Sequence, residues 1–284
     1  MESNIKIHDK IENAFEISEI KLVGNISMKT NHYHDDYEIY YLLEGNRHFF
    51  IKDKVYDIKK GDLVFVEKNE IHKTFDAGAP FHQRILINFK KSYLNNILVE
   101  ANNYDLLACF HGSTYILRLK PEEQKSVENL LSKMLAEYTY PINSSSIYLK
   151  IILSEFLIYA ERLFENSPSC QIETSNPIHK KISEIIIYIN KNYVENLTLD
   201  FLSKHFFIST FYLSRTFKKI TGLNLNQYVN TIRIKEARKL LLSTGLSITN
   251  ISEEVGYDSI THFGRVFKSI AGVSPLKYRK TLKE

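Results

Sequence analysis

The segment Arg215-Thr216-Phe217-Lys218-Lys219-Ile220-Thr221-Gly222 returns as Arg265-Val266-Phe267-Lys268-Ser269-Ile270-Ala271-Gly272, the pattern R-x-F-K-x-I-x-G repeated at an offset of 50 residues. Apolar residues three and four apart, with a glycine to close the last turn, describe an amphipathic helix whose other face is basic. A basic helical unit duplicated in one chain suits two neighbouring stretches of a DNA groove.

Each copy reads as the second half of a helix-turn-helix. Before the first, LTLDFLSKHFFIS sets Leu199 and Leu202 on one face of a short helix, and Ser209 offers an oxygen to the free amides of the next one. Before the second, SITNISEEVGYDS places Ile248, Ile251 and Val255 on one face, Gly256 in the turn, and Asp258 or Ser259 as cap. The two turns differ by one residue. Leu213 and Phe217, like Phe263 and Phe267, stand four apart and are expected inside. The opposite faces carry Phe211, Ser214, Arg215 and Lys218 in one helix and Ile260, Thr261, Gly264, Arg265 and Lys268 in the other. Arginine pairs with the guanine edge, apolar side chains touch thymine methyls, and lysine neutralises phosphate. Between the copies, one helix is predicted from about Asn224 to Leu242, roughly 27 Å long, close to the roughly 34 Å of a duplex turn. Gly272-Val273-Ser274-Pro275 then opens a last helix through Tyr278 and Arg279.

The strings LTLDFLS, YLSRTFKKITG, RIKEARKLL, ISEEVGY and FGRVFKSIAGVSPLKYR make residues 178–284 resemble the DNA-binding domain of the AraC/XylS family of bacterial transcription regulators. The resemblance implies base-facing roles for Phe211, Ser214 and Arg215, and for Ile260, Thr261, His262, Gly264 and Arg265. It also implies double-stranded promoter DNA and RNA polymerase as partners. Phe206, near the first turn, departs from the family's preference for a small residue.

Charge divides the same way. Residues 176–284 carry a net charge of +9 and residues 1–175 a net charge of −5, as expected when only one half meets phosphate. An apolar fraction of 44% with 10 Gly and 6 Pro in 284 residues supports two folded domains. Cys109 and Cys170 are isolated, which suits a reducing compartment. No leader follows Met1 and the apolar runs are short, so a soluble cytoplasmic protein is expected.

From Ile26 to Phe89 short strands rich in Tyr, Phe, Ile and Val alternate with turn signals at Glu44-Gly45-Asn46, Lys52-Asp53-Lys54, Lys60-Gly61-Asp62 and Asp76-Ala77-Gly78. A small β-barrel or double sheet fits that spacing. On a strand His32, His34 and Glu38 share a face, followed by Tyr40. With Gly45, Gly61-Asp62 and His72, this resembles the two motifs of the cupin superfamily, whose histidines and glutamate converge on a metal inside a jelly roll. The resemblance makes His32, His34, Glu38 and His72 candidate ligands of a divalent metal. The same residues with Tyr40 are also candidate contacts for a small molecule, or histidines that satisfy one another. Lys68-Asn69 stands where the second motif has proline and glycine.

Two helical stretches follow, Pro121 to Tyr138 and Ser144 to Phe164, the second apolar on more than one face, either to cover the barrel or to form a homodimer. The expected architecture is α+β and multidomain. A cupin-like β-barrel spans about residues 20–120, helices occupy 121–165, and a polar linker covers 166–177. An all-α double helix-turn-helix fills 178–284. The function expected is a DNA-binding regulator, an activator, that responds to a small-molecule effector such as a sugar. The effector would change how the segment Met1 to Ile20 and the helices pack. The alternatives are a metal-dependent cupin enzyme fused to a DNA-binding domain, and a ligand-independent regulator with a purely structural barrel.

Overall fold

The computed structural model describes residues 14–23, 34–95, 97, 104–112, 115–166 and 174–281. The chain divides into two compact units, residues 1–174 and 175–284. Residue His32, most of the segment Met1 to Ile20, Cys170 and most of the linker lie outside the described residues.

The first unit is an antiparallel double sheet. Its strands are β1 (Phe15–Val23), β2 (Tyr37–Glu44), β3 (Asn46–Ile51), β4 (Lys54–Lys59), β5 (Asp62–Val66), β6 (His72–Asp76), β7 (Phe81–Phe89) and β8 (Ile116–Arg118). One sheet has the order β1-β7-β2-β5-β8 and the other β4-β3-β6. All four anticipated turns fall between strands: Lys52-Asp53 joins β3 to β4 within one sheet and the other three carry the chain from one sheet to the other, with left-handed backbone at Gly45, Lys52, Gly61 and Gly78. Among the described residues no ladder joins the two sheets, so the jelly-roll-like sandwich is open rather than a closed barrel. The set of strands also begins earlier than the sequence suggests. Phe15–Val23 pairs along its whole length with β7, with Phe15 and Ile17 buried and the half-buried Glu16 and Ser18 on the opposite face.

Alternation along β2 splits the core in two. Tyr37, Ile39 and Tyr41 join a cluster with Phe65, Ile87 and the helices α1 (Ala108–His111), α2 (Pro121–Thr139) and α3 (Ser145–Asn166). Tyr40 and Leu42 point the other way, between the sheets, with Phe49, Ile51, Tyr56, Ile58, Val64 and Val66. Polar ties pin this frame. Tyr41 donates to Glu128 Oε1 at 2.7 Å. Arg118 donates two bonds, at 2.8 and 2.7 Å, to the fully buried Asp62 carboxylate, a fork-on-carboxylate geometry stronger than either bond alone.

The second unit is all helical: α4 (Pro177–Lys191), α5 (Leu199–His205), α6 (Thr210–Thr221), α7 (Leu225–Ser243), α8 (Ile248–Glu254), α9 (Ile260–Ala271) and α10 (Pro275–Thr281). Side-chain oxygens start each helix of the two pairs. Thr198 and Ser209 accept from Phe201 and Tyr212 amides, Ser247 and Ser259 from Asn250 and His262 amides. Of the two caps considered for the second reading helix, α9, Ser259 is the one used. Gly222 and Gly272 end α6 and α9 in the left-handed conformation, each amide donating to the carbonyl of the repeated lysine, Lys218 or Lys268. Leu213, Phe217, Phe263 and Phe267 are buried, as their spacing requires. Burial of one such aromatic contributes about 1.5–3 kcal/mol.

The two turns follow the same hydrogen-bond plan. Phe206, Phe207 and Ile208 amides donate to Leu202, Lys204 and Ser203 carbonyls, and Val255, Gly256 and Tyr257 amides donate to Ile251, Glu253 and Ser252 carbonyls. The residue that stands where glycine is preferred is therefore Phe207, with φ 53°, and not its neighbour Phe206. Asp258 is the extra residue of the second turn.

Candidate functional site

The helices α6 and α9 present their basic faces to solvent. Phe211, Ser214, Arg215 and Lys218 are exposed on the first, and Ile260, Thr261, His262, Arg265 and Lys268 on the second; Gly264 lies half-buried among them. A Cβ added at Gly264 would meet nothing within 4 Å, so its surface is open to a close backbone approach. Neither arginine turns inward. Phe211, Ser214, Arg215, Lys218 and Lys219 line one shallow concavity.

The strut between them, α7, grips both pairs. Arg233 Nε donates to Tyr193 O at 2.8 Å and its Nη2 to Glu195 O at 2.9 Å, which ties α7 to the loop before α5. Its guanidinium also lies 5.2 Å from the Tyr257 ring centre in the second turn, and Tyr257 Oη donates to Asn230 Oδ1 at 2.9 Å. Toward the first pair, Tyr228 packs edge-on against Phe217 at 5.4 Å and donates to Asn190.

In the first unit the structure brings His34, Glu38 and His72 together. His34 is not on a strand, since β2 begins at Tyr37. It arrives from a loop held in place by the Asn69 amide, which donates to His34 O at 2.9 Å. Asn69 itself has φ 61°, a left-handed conformation that asparagine tolerates where the family motif has glycine. His34 Nδ1 lies 3.0 Å from Asp36 O, a carbonyl that only accepts, so this nitrogen carries hydrogen. His34 Nε2 and His72 Nε2 then stand 3.2 and 3.3 Å from the same oxygen, Glu38 Oε2. His72 repeats the arrangement with Nδ1 at 3.0 Å from Glu70 O. Burial alone would disfavour charge on His34, but the hydrogen bond and charge of Glu38 outweigh it and raise its pKa. Burial likewise resists ionisation of Glu38, yet the His72 charge and the bonds from His34 and His72 hold its carboxyl well below the ordinary range.

Tyr40, two residues along the same face of β2, is fully buried, and its hydroxyl finds no bonding partner among the described residues. Arg84 of β7 lies over its ring at 5.3 Å. Burial raises the phenol pKa against the opposing pull of Arg84 and Arg47. Sequence reasoning missed Arg47, Arg84, His82 and Asn88, which belong to this interior. Cationic residues inside a sandwich look, in sequence, like the solvent side of a strand.

Residues 202–281 match a family model described as a helix-turn-helix domain, and residues 25–147 one described as an AraC-like ligand binding domain. The Msm operon regulatory protein of Streptococcus mutans is 27% identical over 87% of this chain and 85% of its own length. The melibiose operon regulatory protein of Escherichia coli is 23% identical over 89% of this chain and 84% of its own. The HTH-type transcriptional activator AarP of Providencia stuartii is 38% identical over 98 residues, 34% of this chain and 73% of AarP. These relatives are regulators rather than enzymes, and no helix among the described residues is long and apolar enough to cross a membrane. The duplicated reader and the ligand-binding sandwich thus occur together in one order, and the chain belongs to the AraC family of DNA-binding transcription regulators.

Proposed function

We propose that this regulator is an activator that senses a small polyhydroxylated molecule, a sugar or related catabolite, between the sheets of its first unit. The observation that carries this reading is the convergence of His34 and His72 on one Glu38 oxygen, next to Tyr40, in an interior walled largely by aromatic and aliphatic side chains. A few polar groups set in aromatic walls suit a molecule with hydroxyls on one side and carbon faces on the other. The relative named for a melibiose operon supports a sugar. Binding shifts the protein only by its differential affinity for two states. In those states Arg215 and Arg265, with Phe211, Ser214, Lys218, Ile260, Thr261, His262, Gly264 and Lys268 around them, engage promoter half-sites to different extents. The protein acts in the cytoplasm, recruits RNA polymerase and works as a homodimer. Exposed Ile147 and Ile151 on α3 supply the apolar face for the dimer.

The cupin resemblance also raises a metal. One ligand atom from each of His34, Glu38 and His72 lies within 4.8 Å of the others, and the Nδ1 nitrogens are already engaged by carbonyls, so the donor set suits a divalent cation held through both Nε2 atoms and Glu38. Such an ion, when bound, would polarise an effector hydroxyl. A proton on His34 Nε2 fills the same role in holding the cluster, and the raised pKa of His34 favours it. Calorimetry of the full chain against a panel of mono- and disaccharides, sugar acids and sugar phosphates, before and after dialysis against a chelator, tests the reading. Heat with one of them, unchanged by chelation and lost in Glu38→Gln, is expected. Undiminished heat in Glu38→Gln would overturn this site, and heat lost on chelation would assign the metal.

A further inference from the structure

Arg47 on β3 is 2% exposed, and its Nε, like that of Arg84, is buried with no hydrogen-bond partner among the described residues. Both belong to the space between the sheets. Arg84 sits opposite Leu42, and Asn88 opposite Glu38, on the inward face of the β2–β7 ladder. Arg47 pairs across its own sheet with Asp76. Among the described residues no carboxylate forms an ion pair with either guanidinium, although each is close enough to repel the other's charge. The Tyr40 hydroxyl and Asn88 Oδ1 are two further buried polar atoms in the same interior without hydrogen-bond partners among the described residues. Arg47 is withdrawn from water and Arg84 is half-buried; Asp76 eases the charge of Arg47 while Arg84 opposes it, and a buried cation persists where something pairs with it.

We propose that the effector carries an anionic group, a carboxylate or phosphate, held between Arg47 and Arg84 with the Tyr40 hydroxyl as a third donor. This rests on the reading of the sandwich interior as the effector site and adds the charge of the ligand. Two guanidinium forks are suited to a planar or tetrahedral oxyanion. Tyr40, under Arg84, is two residues along β2 from Glu38, a rise of roughly 7 Å. A five- or six-carbon molecule with its acid at the arginines therefore reaches the His34–Glu38–His72 cluster with its hydroxyls. The effector class is a sugar acid or a phosphorylated sugar.

The test is thermal melting of the full chain at constant ionic strength in chloride, acetate and inorganic phosphate, repeated with Arg47→Gln, Arg84→Gln and Arg84→Lys. Arg215→Gln removes a cation of the DNA-reading face as a control. At least one of acetate and phosphate should raise the melting temperature by several degrees over chloride in the parent and in Arg215→Gln. That rise should fall by half or more in the Arg47 and Arg84 variants. Stabilisation by acetate assigns a carboxylate, and by phosphate alone a phosphorylated ligand. No rise with either anion, or an equal rise in the variants, overturns the proposal. Should the glutamine variants fail to fold, Arg84→Lys and the NMR titration of His82 in the parent decide. A bound anion must lift the His82 pKa from about 4, and an unmoved value in saturating acetate and phosphate sinks the idea. An effector response that survives Glu38→Gln counts against the broader site reading alone, whereas anion stabilisation that survives the arginine variants counts against this inference alone.

Discussion

Phe207 and Gly256 occupy the same point of the two helix-turn-helix turns, both left-handed, at φ 53° and 88°. Gly256 is fixed by space as well as conformation, since a Cβ there would fall 2.5 Å from Val194 O. Phe207 is 97% exposed and bears the conformational cost with no packing to offset it. Gly256→Ala should therefore destabilise the chain by more than about 1 kcal/mol, and Phe207→Gly should stabilise it by up to about 1 kcal/mol. Chemical denaturation of the two variants measures both, and a neutral Gly256→Ala would show that the second turn can relax.

Arg215 and Arg265 make the sharpest prediction about DNA. Each arginine replaced by alanine should cost roughly 1–3 kcal/mol at a specific site and much less on random sequence, if each reads a base. Lys218→Ala and Lys268→Ala should instead weaken both kinds of DNA alike and reduce the salt dependence. Binding isotherms at two salt concentrations separate these outcomes; equal loss on random DNA for the arginines would demote them to backbone contacts.

His34→Ala should abolish the effector response of a promoter reporter while the effector-free full chain keeps its DNA affinity within about twofold. The residue lies in the first unit and the reading helices in the second. A collapse of basal DNA binding would show that the two units depend on each other for folding.

His82 sets a pH dependence. Burial, reinforced by the charges of Arg47 and Arg84, lowers its pKa from 6.5 to about 4. The unfolded chain thus takes up a proton near pH 6.5 that the folded chain refuses until about pH 4, so stability present above pH 6.5 is lost progressively down to pH 4. Denaturant melts at pH 7.5 and 5 should show that drop, and His82→Gln should flatten it. An unchanged slope in the variant would place the acid sensitivity elsewhere.

Ile151→Glu on the exposed face of α3 should shift the protein to monomers in sedimentation with little change in melting temperature, because the side chain is 52% exposed at the rim of a groove between α2 and α3. A dimer that survives both this change and Ile147→Glu would move the interface to another surface.

Much of the reader was legible because helix chemistry is local. The offset of Arg215 and Arg265, the serine caps and the paired Leu213-Phe217 and Phe263-Phe267 all depend on residues within a turn or two of one another. The sandwich was legible at its reversals, where glycines mark left-handed backbone, and at His34, Glu38 and His72, whose residue types are unusual on strands. It was not legible at β1, whose alternation is blurred by Glu19 and Lys21. Nor was it legible at Arg47 and Arg84, because which face of a strand is inward depends on a partner sheet far away in sequence. His34 shows the same limit in reverse: it reaches Glu38 from a loop, through Asn69, and not by the strand alternation that suggested it.

The grip of Arg233 on the carbonyls of Tyr193, Val194 and Glu195 before α5, with its guanidinium over the Tyr257 ring, joins the two reading modules through one side chain. A molecule built this way behaves as a caliper with a set gap. It should tolerate altered bases within either half-site more readily than a base pair inserted between them, because insertion rotates the far contact around the duplex, and only bent DNA brings it back.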